Sequence, residues 1–152
     1  MKLVTLWRLR HEGCDAYMSM GYCAAAHLTA YDEHSLLYTY WCCNLNIEGY
    51  KKYYGLEDGE IFIERSAFVE PEIRLKRRKM PSGKTKFFEK RIRQDVPLTR
   101  LMEQGEITVK NASGTWKTWT DGTDFMAMHI ITEIFKEYQE TGVIPEYQPW
   151  FS

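Results

Sequence analysis

Ten of the chain's 20 lysines and arginines lie between Arg74 and Arg93, where Glu89 is the single acidic residue, so this stretch carries a formal charge of +9. The net charge of the whole chain is −1, which leaves −10 on the remaining 132 residues. A cation cluster of this density is suited to binding phosphate. Each lysine or arginine that meets a phosphate releases a condensed counterion, and the planar fork of arginine matches the phosphate oxygens. Arg74, Lys76, Arg78, Lys84, Lys86 and Lys90 are the expected positive contacts, and Phe88 among them offers a platform on which a base can stack. A plainer reading is a solvated hairpin edge whose lysines only prevent edge-to-edge aggregation. A third is an acidic protein partner. The arginines at 74, 77, 78, 91 and 93 favour phosphate, because solubility alone does not call for arginine.

Other constellations are weaker. His11, Cys14, Cys23 and His27 supply two imidazoles and two thiolates, a set that satisfies tetrahedral zinc, although the gap between the cysteines is shorter than in familiar fingers. The competing reading makes these cysteines small buried hydrophobes, and no cofactor is expected. As a Cys/His nucleophilic site the same residues lack an orienting third group and an oxyanion loop. Asp58, Glu60, Glu64 and Glu72 precede the basic stretch as the carboxylates of a metal-dependent nuclease would, but Glu72-Ile73-Arg74 has arginine where lysine is wanted. They read as solvated strand residues, and an enzyme is not the leading expectation. Trp116 and Trp119, three apart in a turn-rich loop, either frame a ligand base or partner pocket, or cap a core. His129, between Met128 and Ile130, reads as a core or boundary residue of a helix.

The element that must carry the cations is a β-hairpin over 73–92. Ile73 to Met80 and Lys84 to Ile92 flank Pro81-Ser82-Gly83, where proline presets one turn position and glycine supplies the positive φ of a three-residue loop. If Met80 meets Lys84, then Arg78 faces Lys86, Lys76 faces Phe88 and Arg74 faces Lys90 on one side, with Ile73, Leu75 and Phe87 on the other. The expectation is a basic outer face and an apolar inner one. Like charges opposite one another repel, so their stacking points to a neutralising anion.

Around the hairpin, residues 2 to 9 alternate as a strand, Ala24 to Ala26 favour helix and Leu36 to Cys43 favour strand. Ile47 to Leu56 reads as a short helix and Glu60 to Glu64 as a strand. Pro97 to Gln104 reads as a helix, Ile107 to Lys110 as a strand, and a C-terminal helix is expected over about 123–141. There Ala127, Ile131, Ile134, Phe135 and Tyr138 share one face, Asp121 to Asp124 supply capping oxygens, and Gly142 and Pro145 end it. The tail's Tyr147, Trp150 and Phe151 should dock on the body or on a second subunit. The expected architecture is one α+β domain over 1–152, with an antiparallel sheet of about five or six strands, a packed C-terminal helix and one or two short helices.

With 152 residues, 44% of them hydrophobic, the chain can bury about two thirds of its unfolded surface. No apolar run approaches the roughly 18 residues of a membrane span, and no basic-then-apolar leader opens the chain, so a cytoplasmic protein without a membrane partner is expected. The adjacent Cys42 and Cys43 make poor material for a disulfide framework, so reduced thiols are expected. Exposed aromatics point to a homo-oligomer.

Several strings, namely Tyr53-Tyr54-Gly55-Leu56, Asp58-Gly59-Glu60, Glu64-Arg65-Ser66-Ala67, Met80-Pro81-Ser82-Gly83-Lys84, Lys90-Arg91-Ile92 and Tyr138 to Glu146, resemble small uncharacterised proteins of Firmicute phages and prophages. The resemblance covers about 49–146. It implies a mobile-element context, in which proteins of this size act against host defences by capturing nucleotide signals or occupying nucleic-acid surfaces. It implies no activity and no site residues. The leading expectation is therefore a non-enzymatic accessory protein that binds nucleic acid or a nucleotide signal through its hairpin and inhibits a host defence. The alternatives are a module that binds and inhibits an acidic host protein, and a metal-dependent nuclease.

Overall fold

The computed structural model describes residues 2–3 and 21–151. Two ten-residue strands, β2 (Tyr22–Tyr31) and β3 (Ser35–Asn44), form its centre and pair antiparallel from Tyr22 opposite Asn44 to Tyr31 opposite Leu36, with a bulge between Leu28 and Ala30. The turn between them is fixed by Asp32, whose carboxylate accepts the N–H groups of His34 and Ser35, each at 2.8 Å. Those two N–H groups hold its carboxyl below the ordinary aspartate range. β4 (Gly59–Glu64) pairs with β3, and β7 (Ile107–Lys110) with β4. On the opposite edge, β8 (Tyr147–Phe151) and β1 (Lys2–Leu3) meet different lengths of β2, completing a six-stranded antiparallel sheet.

Ala24 to Ala26 lie in β2, not in a helix. Alanine favours helix only weakly, and this segment is buried on both faces between β3 and β8, where small side chains let other elements approach closely. Helix α2 (Phe125–Thr141) covers one face, burying Met126, Ala127, Ile130, Ile131, Ile134 and Phe135 against Tyr38, Tyr40, Ile61, Ile63 and Ile107. Asp124 caps it by accepting the Met126 N–H at 3.0 Å, and Gly142 ends it at φ 76°. Tyr147, Trp150 and Phe151 thus dock on the body, as part of an edge strand.

The other face carries a smaller cluster of Cys23, Ala25, Trp41 and Cys43. Cys42 and Cys43 are free thiols that alternation sends to opposite faces of β3, whereas Cys23 is disulfide-bonded, so the expectation of reduced thiols is corrected at Cys23. The helix expected over Ile47 to Leu56 shrinks to a 3-10 turn at Lys51–Tyr53, and Pro97 to Gln104 gives α1 (Leu98–Glu103). The strand read over residues 2 to 9 is described only at Lys2–Leu3; the rest lies outside the described residues. Among the described residues no helix is long and apolar enough to cross a membrane.

Candidate nucleic-acid interface

Strands β5 (Glu72–Lys79) and β6 (Thr85–Ile92) form a separate two-stranded ribbon. Its turn is built as its residues dictate. Gly83 sits at φ 86°, its N–H donates to Met80 O at 2.9 Å, and the Met80 N–H donates to Lys84 O at 2.7 Å. That closure sets the register read from the sequence, with Arg78 opposite Lys86, Lys76 opposite Phe88 and Arg74 opposite Lys90.

One face of the ribbon therefore presents Arg74, Lys76, Arg78, Lys86 and Lys90 around Phe88. The crowding is electrostatically unfavourable in the free protein: the neighbouring Lys90 and then Arg74 hold the Lys76 ammonium below its ordinary range. Arg74 is partly compensated, since its Nε donates to Glu72 Oε1 at 2.7 Å. Lys86 Nζ lies 5.5 Å from the Phe88 ring centre. Lys84 belongs to the turn. A shallow hollow at the tip is lined by Arg78, Lys79, Met80, Pro81 and Phe88.

The opposite face is a correction. Ile73, Leu75 and Phe87 do share it, but so do Arg77, Lys79, Glu89 and Arg91, and it is not an inner face: Leu75 is 70% exposed and Phe87 62%. The ribbon projects from the sheet, so only its base is packed. There Arg91 Nε donates to Gln139 O at 2.8 Å, the Gln94 N–H donates to Gln139 Oε1 at 2.6 Å, and Gln139 Nε2 donates back to Gln94 O at 3.0 Å. Gln139, 1% exposed on α2, is an anchoring residue that sequence reading missed, because a single glutamine near a helix end carries no pattern.

The tryptophans separate. Trp116 packs on Tyr22, ring centres 5.1 Å apart, at the margin of the main core, while Trp119 stands half-exposed beside α2. Of the candidate zinc ligands, His11 and Cys14 lie outside the described residues, Cys23 is in a disulfide, and His27 Nδ1 hydrogen-bonds Glu57. The four carboxylates are dispersed: Asp58 accepts from the Ser113 N–H at 2.9 Å, Glu72 binds Arg74, and Glu60 and Glu64 lie along β4. Among the described residues no group of three or more His, Cys, Asp or Glu is placed to hold a metal ion. The chain matches no family model, no curated protein and no solved structure.

Proposed function

We propose that the chain is a non-enzymatic binding protein whose ribbon seats itself against the phosphates of a duplex nucleic acid. The observation that carries this reading is the shape of the cation cluster. A nucleotide signal calls for an enclosing pocket, whereas these cations are strung along one side of a ribbon exposed on both faces, with only an open hollow at its tip. Two strands about 4.8 Å apart, extended over roughly 27 Å for eight residues, fit a major groove about 12 Å wide. Arg74, Lys76, Arg78, Lys86 and Lys90 meet phosphates, Lys84 reaches from the turn, and Phe88 packs on sugar or exposed base. The resemblance to phage and prophage proteins supports a setting in which the protein occupies nucleic acid that a host defence would otherwise engage.

The test is fluorescence anisotropy with a short labelled duplex at several salt concentrations. Changing Arg74, Lys76 and Arg78 together to Ser should flatten the slope of log affinity against log salt by about three, at about 0.9 per lost phosphate contact. An unchanged affinity and slope in a folded triple variant would sink the reading.

The exposed Ile73, Leu75 and Phe87, which share their face with Arg77, Lys79 and Arg91, favour a second reading, an acidic protein partner held by charge on both faces and by apolar contact on one. The two faces separate these readings. A Leu75→Ser/Phe87→Ser variant should keep duplex affinity within about twofold if phosphates dominate. Loss of a nuclease-resistant host partner in that variant would support the protein instead.

A further inference from the structure

A cleft of about 770 Å³ opens between α1, β7, the loop 119–123 and the first half of α2, and none of its lining residues belongs to the ribbon. Its size falls within the range of small-molecule sites. Leu98, Met102, Val109 and Met128 give it an apolar floor, and Trp119 forms one wall.

Trp119 is 52% exposed, yet the loop that carries it is tied down. The Trp119 backbone N–H donates to Thr123 O at 2.8 Å, the Gly122 N–H donates back to Trp119 O at 2.9 Å, and Asn111 Nδ2 donates to Gly122 O at 2.8 Å. Asp121 closes the turn by accepting the Thr123 N–H at 2.9 Å. A row of half-buried rings continues from it: Trp119 on Phe125 at 5.9 Å, Phe125 edge-on to His129 at 4.5 Å, and His129 stacked on Trp150 at 4.2 Å. A large indole on a tied-down loop beside a cleft, with one ring neighbour in Phe125, is a stacking platform.

The charge of the cleft selects the ligand. Glu103 and Asp121, both exposed, line it, and among the described residues no lysine or arginine does. Backbone and side-chain hydrogen bonding from Thr123 holds the Asp121 carboxyl below its ordinary range, so it is ionised at neutral pH. Burial lowers the His129 imidazole, with Glu133 opposing, which favours its neutral form. Lys117 Nζ lies over the Phe125 ring at 4.6 Å and is not among the lining groups. Threonine hydroxyls at positions 99, 123 and 132 also line it; Thr132 already donates to Met128 O at 2.9 Å and Thr123 to Asp121, which leaves both as acceptors.

We propose that this cleft binds an uncharged or cationic planar heteroaromatic compound of nucleoside size, stacked on Trp119, with its N–H or hydroxyl donors directed to Glu103 and Asp121. The site is opposite in character to the ribbon: it accepts flat rings bearing donors and repels free phosphate. It stands independently of the ribbon's ligand.

The experiment is tryptophan-fluorescence titration and ligand-observed NMR on the full chain, with the four common ribonucleosides and tryptamine as probes and the nucleoside 5′-monophosphates as comparison. At least one probe should bind, and for a nucleoside its monophosphate should bind about tenfold more weakly through carboxylate repulsion. Trp119→Ala should weaken binding about tenfold, with Trp119→Phe retaining part of it. Glu103→Gln with Asp121→Asn, which keeps the oxygen that closes the turn, should narrow the discrimination against the monophosphate. No binding by any probe, equal binding of the monophosphate, or a folded Trp119→Ala variant with unchanged affinity would each overturn the proposal. The Arg74/Lys76/Arg78 triple variant should bind these probes as the parent does, so failure at the ribbon and failure at the cleft are read separately.

Discussion

Tyr40 joins three segments of chain at one buried atom. Its hydroxyl donates to Asp124 Oδ2 at 2.6 Å and accepts the Ala112 N–H at 3.0 Å, while Cys42 Sγ donates to the same carboxylate oxygen at 3.3 Å. Burial and the adjacent Asp124 carboxylate push both the Tyr40 phenol and the Cys42 thiol well above their ordinary ranges, so both keep their protons as donors. Gly59 is required beneath this ring, since a Cβ there would fall 2.3 Å from Tyr40 Cε1. Tyr40→Phe keeps the packing but strands the Ala112 N–H and removes one donor from Asp124. It should destabilise the protein by about 1–3 kcal/mol, measured as a lower urea midpoint with an unchanged m value. None of this was legible in the sequence, which marks Asp124 as a cap but cannot say that a tyrosine 84 positions away shares its oxygen.

At the scale of elements, the ribbon was the most legible part of the chain because it is local. A turn of Pro81, Ser82 and Gly83 closes between segments in sequence contact, and once Met80 meets Lys84 strand geometry fixes every pair. α2 was legible for a similar reason, its cap, apolar face and glycine stop all lying within one segment. Ala24 to Ala26 were not, because local preference there is outweighed by pairing to strands at 40–42 and 148–150. How the ribbon is fastened to the body is likewise tertiary. Gln139→Leu would leave the Gln94 N–H and C=O without their partner, and should destabilise the protein by about 1–3 kcal/mol. Hydrogen exchange should rise at Gln94 and the base of the ribbon before it rises in β2 and β3.

For the whole molecule, the separation of charge is a property of composition, with +9 on 20 residues and −10 on the rest. Whether that charge is held in a usable shape depends on the body. A two-stranded ribbon is at best marginally stable alone. A peptide covering 72–92 should therefore show little strand signal by circular dichroism and should bind duplex more weakly than the intact chain, while keeping a similar salt slope. A peptide as well ordered and as tight as the parent would mean that the sheet and α2 contribute nothing to the interface. The sequence by itself determined the α+β class, the ribbon with its register and its cation face, and the caps of α2, because each rests on residues near one another in the chain. Only the tertiary structure decided that Ile73, Leu75 and Phe87 of the ribbon are exposed, that Gln139 anchors its base, and that α1, β7, the Trp119 loop and α2 enclose a cleft. Those outcomes depend on which distant segments come to share a face, and side-chain pattern within a segment does not encode that.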